Sequence, residues 1–248
     1  MKRNLIPGVF LFFSFLFVMA GYSQEVTTEK EEVESVNGVI SFQVGVPSTT
    51  MQKAIKNDMG NLGFGAGLEV LSNPFTWGKN KRNSPLRIGG EAGYTYYGRF
   101  LSEVNINGYK GDYKTSYGIL NLNAILQIRP QYTEVIRPFV ELLVGGSFYL
   151  SSIKENLDLI ESSLGVETFS LDSYSSASFN KGLAVGCSFG NPRKQAGRFT
   201  LRVSYNRGNS IKYIVRNSLE YDPGNNSLQY QVGRAPVSYF MIQIGVGR

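Results

Sequence analysis

Five charged residues are the groups of this chain best placed to do chemistry: Glu69, Arg87, Glu91, Glu141 and Arg202. Each stands in a segment where apolar residues alternate with polar or small ones, on the side opposite the apolar residues. If those segments close around one interior, these carboxylates and guanidiniums share it. Opposite charges enclosed together hold one another, whereas an enclosed charge without a partner is costly. The expectation is a charge network whose role is structural, plugging the interior, with an ion path as the competing reading.

Other chemistry is poorly supplied. The chain contains no His, the side chain whose proton affinity suits general-base work near neutral pH. No pair of Asp or Glu residues stands out at the segment ends, so the expectation is no enzyme and no catalytic residue. Without His and Cys clusters a transition metal has no ligand set, and the glycines follow the alternation rather than a phosphate-cradling motif. No metal, cofactor or cofactor-binding residue is therefore expected. The single Cys187 cannot form an internal disulfide and reads as a small apolar residue, buried or facing lipid.

The elements that must position the five charges are eight alternating segments, at about 39–46, 62–71, 86–97, 117–128, 139–150, 179–189, 199–206 and 237–246. The first sets Ile40, Phe42, Val44 and Val46 against Ser41, Gln43 and Gly45; the seventh sets Phe199, Leu201, Val203 and Tyr205 against Thr200, Arg202, Ser204 and Asn206. One such segment is weak, because any half-buried antiparallel strand alternates. Eight in succession, each long enough to cross a bilayer when tilted, predict an all-β, eight-stranded antiparallel up-and-down transmembrane β-barrel. A soluble lipocalin-like barrel would turn the apolar faces inward; here the opposite faces are rich in Gly, and the apolar faces are broad and aromatic.

The connections agree with a membrane barrel. Those after the second, fourth and sixth strands are compact, with Pro74, Pro130 and Pro192 near their starts, and the longest run over 151–174 and 207–236. Short periplasmic turns and longer outer loops are the pattern of outer-membrane barrels, and an even strand count returns both termini to the periplasm. Apolar spacing fits short helices over 51–59 and 153–164, and strands seven and eight are expected to continue through 211–215 and 228–232. Tyr94, Tyr96, Tyr97, Tyr117, Phe148, Tyr149 and Tyr205 fall toward the outer strand ends; Phe75, Trp77, Phe139, Phe189 and Phe199 fall toward the inner ones. Amphipathic rings prefer the headgroup level, so two girdles are expected.

At the N-terminus, Lys2 and Arg3 precede an apolar run over 9–20 and the small residues Gly21 and Ser23, the three-part pattern of a secretory signal peptide. The run is shorter than the ~20 apolar residues a spanning helix needs. The expected organisation is a signal peptide over 1–23, an acidic flexible tail over 24–37 and a barrel domain over 38–248. Composition fits, with 28 Gly, 15 Tyr, 16 Phe and only 18% charged residues. The formal charge is +6, and removing Lys2 and Arg3 lowers it to +4. The basic residues are scattered and the chain is read as exported, so nucleic acid is not an expected partner.

A leader ending in Ser-Gln, eight amphipathic strands and a last strand reading Tyr239-Phe240-Met241-Ile242-Gln243-Ile244-Gly245-Val246-Gly247 together resemble the outer-membrane β-barrel domain family common in Bacteroidota, related in architecture to OmpA, OmpX and OmpW. The resemblance implies the cell outer membrane as location and the barrel-insertion machinery as a partner during assembly. Outer-membrane lipid and lipopolysaccharide are the expected surroundings. Eight strands leave an interior that side chains can fill, so a non-conducting lumen and a structural or surface-interaction role are expected, with contacts through the long outer loops. The alternative is an accessory barrel of a secretion or transport apparatus of the type IX kind. It would bind an envelope protein partner through basic turns carrying Lys79, Lys81, Arg82, Arg193, Lys194 and Arg198.

Overall fold

The computed structural model describes residues 36–55, 62–76, 84–106, 109–129, 135–155, 170–190, 198–215, 218–225 and 227–247. The signal peptide, the acidic tract up to residue 35, Trp77 and the turn residues Lys79, Lys81, Arg82, Arg193 and Lys194 lie outside these residues, as does most of the helix expected over 153–164.

Eight strands close into a barrel: β1 (Val36–Pro47), β2 (Gly63–Ser72), β3 (Leu86–Ile106), β4 (Tyr109–Ile128), β5 (Ile136–Glu155), β6 (Ser170–Phe189), β7 (Arg198–Ile214) and β10 (Val232–Gly247). Neighbours in sequence pair antiparallel all the way round, and β1 closes the sheet on β10, with Val39 opposite Gly247 and Pro47 opposite Tyr239. A small hairpin, β8 (Glu220–Asp222) with β9 (Ser227–Gln229), stands in the connection between β7 and β10. β1 begins at Val36, inside the stretch expected as tail.

The expected faces are the observed ones. Ile40 and Phe42 are 70% and 54% exposed on the outside, while Gln43 between Phe42 and Val44 is buried. The same parity exposes Leu68, Val70, Leu122, Leu142, Val144, Leu183, Leu201, Val203, Ile242 and Ile244. An apolar belt of this width is costly in water and favourable against acyl chains. Cys187 is half-buried on this outward face, next to Val185 in the alternation.

The strands run further than their lipid-facing alternation. β4, β5 and β6 have 20 residues each, about twice the ~9–11 a tilted strand needs to cross a bilayer. Beyond the belt the pattern inverts. Arg99 and Lys154 are exposed outside, while Val104, Tyr113, Ile153 and Ile214 are buried inside, with Tyr221 and Leu228 of the β8–β9 hairpin packed against them. The inversion on β3 occurs at a bulge between Tyr96 and Arg99, where Gly98 takes φ 94°, a conformation that suits a residue without a Cβ. Both ends of the expected 151–174 loop are therefore strand, and β7 continues to Ile214 as expected for 211–215.

Helix α1 (Thr49–Ile55) follows β1 and folds into the mouth of the barrel. It is tied back by Ser48 N–H donating to the Ser238 carbonyl at 2.7 Å and Gln52 N–H donating to the Ser48 carbonyl at 2.8 Å. Met51 is 0% exposed, clustered with Tyr97, Tyr117, Tyr149, Tyr239 and Ile211. An unbranched thioether adapts to the irregular space between rings. Met51→Ala should cost about 2–4 kcal/mol by leaving a cavity there, read as a lower midpoint of urea unfolding.

The aromatic girdles need correction. Tyr94, Phe148, Tyr205, Phe75 and Phe199 are exposed, but Tyr97, Tyr117, Tyr149 and Phe139 are buried on the inward parity shared with Glu91, Asn121 and Glu141. They fill the lumen instead of lying at an interface.

Candidate functional site in the barrel lumen

The lumen is built in layers, because each strand offers the interior one residue in two. Nearest the chain termini, β7 projects Arg202 inward from opposite Gln243 of β10. The guanidinium is met by carboxylates from three other strands. Arg202 Nη1 lies 2.5 Å from Glu91 Oε2 and 3.6 Å from Glu69 Oε2, and Nε lies 2.6 Å from Glu141 Oε2. The Nε contact has ion-pair distance without hydrogen-bond alignment. Arg202 is 3% and Glu141 0% exposed, so little water screens these pairs.

Amides hold the carboxylates in place. Asn123 Nδ2 donates to Glu91 Oε1 at 2.6 Å, and Gln127 Nε2 donates to Glu141 Oε1 at 2.8 Å. Gln243 accepts from Arg202 Nη1 at 2.5 Å and donates to Gln43 Oε1 at 3.3 Å; Gln43 Nε2 in turn lies 2.9 Å from both the Tyr94 carbonyl and Thr95 Oγ1. These bonds matter because Glu69 and Glu91 sit directly opposite one another on β2 and β3, an arrangement that like charges disfavour. Arg202 offsets that repulsion.

Four of the five expected charges thus meet, with Arg202 at their centre. The fifth, Arg87, is buried on the same inner face, four residues along β3 from Glu91 and opposite Gln127, and it is partnered there.

Above the charges lies a neutral polar layer. Tyr239 Oη and Ser147 Oγ both donate to Asn121 Oδ1 at 2.7 Å, and Asn180 Nδ2 donates to Ser147 Oγ at 2.6 Å. Above that come the tyrosines and Met51. A void of ≈ 10 Å³ is bounded by Gln43, Glu69, Glu91, Asn206 and Gln243, room for about one water molecule. Among the described residues no His, Cys, Asp or Glu group is arranged to hold a metal ion.

Sequence reasoning missed the Met51 plug and the tyrosine layer. The tyrosines had a signal, since Tyr97 shares parity with Glu91 and Tyr117 with Asn121; Met51 had none beyond its place in a short apolar-spaced helix. Arg198, expected in a partner-binding basic turn, is instead the first residue of β7, buried and partnered.

No protein-family model and no curated protein matches the chain. Solved structures do match. A major outer membrane protein of Thermus thermophilus aligns with 86% of this chain and 98% of its own length, at 10% identity and TM-score 0.51. The fold is that of an outer-membrane β-barrel. The outer membrane protein OprG of Pseudomonas aeruginosa is similar over 88% of this chain and 97% of its own, at 13% identity and TM-score 0.41. The outer membrane protease OmpT of Escherichia coli is similar over 91% and 99%, at 10% identity and TM-score 0.38. The expectation that the chain is no enzyme is corrected at this point: activity resides in sites grafted on a scaffold rather than in the scaffold, so neither the fold nor the missing His excludes catalysis.

Proposed function

We propose that this protein is a small outer-membrane barrel with a filled, non-conducting lumen and a structural or surface-interaction role, of the kind the sequence resembles in Bacteroidota. The observation that carries this reading is the lumen's double closure. The Arg202 cluster blocks the end near the termini, and Met51 with Tyr97, Tyr117, Tyr149 and Tyr239 blocks the other. A solute must break buried ion pairs and dislodge a packed helix to pass. The charge cluster's role is then to hold the wall strands at one distance across the lumen.

Surface interaction falls to the part of the sheet that stands clear of the apolar belt, where β3 to β7 continue with a mostly polar exterior and the β8–β9 hairpin is packed on their inner side. Lipid surrounds the belt, and the barrel-insertion machinery is the partner during assembly.

Planar-bilayer recording tests the closed lumen. The purified barrel should give no steady conductance in molar salt, and Arg202→Ala combined with Met51→Gly should raise the frequency of brief openings. A stable ohmic pore in the unaltered protein would overturn the reading.

A further inference from the structure

We propose that the outward face of β6 and β7 carries a binding site for the phosphate-bearing headgroup of an outer-leaflet lipid, formed by Lys181 and Arg207. The two residues are directly opposite in the β6–β7 register, so their Cβ atoms are about 5 Å apart, and both are exposed on the outside of the barrel. Like charges facing each other across strands repel. Neither has an ion-pair partner among the described residues, and their cross-strand neighbours on the other sides, Val144 on β5 and Ser238 on β10, carry no charge. The pair therefore presents two unneutralised cations at one spot.

Their surroundings select the partner. Phe179 and Leu183 flank Lys181 along β6, Tyr205 precedes Arg207 on β7, and Phe240 stands opposite Tyr205; all four side chains are exposed, with Tyr205 and Phe240 at 4.8 Å between centroids. A cation on a lipid-facing strand is tolerated only toward the interface, where a long side chain can extend its charge to headgroup level while its stem stays among acyl chains. A soluble acidic peptide would have to cover this apolar wall, which lipid already occupies. An amphiphile with phosphate on its headgroup and several acyl chains matches both parts. Its phosphate bridges the Lys ammonium and the Arg fork by charge-assisted hydrogen bonds, and its chains lie on Phe179, Leu183, Tyr205 and Phe240. A second opposed pair, Lys212 with Arg234, lies five residues further along β7, ~17 Å beyond, and is too far to share the same phosphate.

The test is native mass spectrometry of the full-length mature barrel in mild detergent, mixed with bisphosphorylated lipid A or with its fully dephosphorylated form. The unaltered barrel should retain the phosphorylated lipid as discrete adducts and lose the dephosphorylated one. Lys181→Gln with Arg207→Gln should lower retention roughly 30-fold, since each basic residue at a membrane surface contributes about a factor of five. The equal charge change Lys212→Gln with Arg234→Gln should leave it unaltered. Heat-modifiable gel migration shows in the same samples that each barrel is folded, which separates failure of this site from failure of the barrel reading. Equal retention of the two lipids by the unaltered protein, equal retention by the Lys181/Arg207 variant, or equal loss in the Lys212/Arg234 variant would each overturn the proposal; the first needs no variant to fold.

Discussion

Arg202→Met should destabilise the barrel by about 3–5 kcal/mol, the cost of leaving buried charges without their counter-ion. The substitution keeps most of the side-chain volume, so packing changes little. What changes is charge. Glu69, Glu91 and Glu141 would face one another across a lumen in which Glu141 is 0% exposed, and the opposed Glu69–Glu91 pair would lose the group that offsets its repulsion. Urea titration followed by heat-modifiable gel migration should show the folded band lost at lower denaturant. Adding Glu91→Gln and Glu141→Gln to Arg202→Met should recover most of the loss, because amides fill the same space without charge. An unshifted midpoint in the single variant would show that the cluster adds nothing to stability, and recovery failing in the triple variant would trace the loss to packing instead.

Gly145→Val should also be strongly damaging, through a different cause. Gly145 faces inward on β5 opposite Asn123 of β4, and a Cβ there would run into the Leu122 carbonyl oxygen and come within 2.7 Å of the Asn123 Cα. Backbone cannot give way as a flexible side chain does, so the β4–β5 pairing must shift. Asn123 is the residue that holds Glu91, which couples the clash to the charge cluster. Overpacking commonly costs about 1–3 kcal/mol, and with backbone as the obstacle the upper end applies. Gly65→Ala should behave alike, since its Cβ would strike the Tyr94 carbonyl oxygen, the acceptor that orients Gln43. Gly38→Ala is the control: nothing lies within 4 Å of its Cβ position, and its unfolding midpoint should stay where it is or rise. A Gly145→Val barrel that folds with an unshifted midpoint would mean that the strands are free to separate there.

The outward faces were legible because their cause is local. Successive residues of a strand point to opposite sides, so Ile40, Phe42 and Val44 declare a lipid face against Ser41, Gln43 and Gly45 without reference to any other strand. The girdle assignment failed where it gave residue type precedence over that parity: Tyr97, Tyr117 and Tyr149 point inward with Glu91, Asn121 and Ser147. The outer ends of β3 to β6 were missed for a related reason, whereas the continuation of β7 to Ile214 was expected. Above the bulge at Tyr96 to Arg99 the sheet leaves the membrane and turns its apolar side inward, so a search for lipid-facing alternation stops where the lipid does, not where the strand does.

The sequence by itself determined the class of the molecule, its number of membrane strands and, within the lipid-facing stretches, which parity faces the lumen, because these follow from a period of two repeated segment by segment. Only the tertiary structure decided that Arg202 reaches Glu69, Glu91 and Glu141 at once, that Met51 stops the mouth, and that Lys181 stands opposite Arg207. Those meetings depend on the stagger between strands and on closure of β1 against β10. Stagger is a property of the whole sheet, and no single segment carries it.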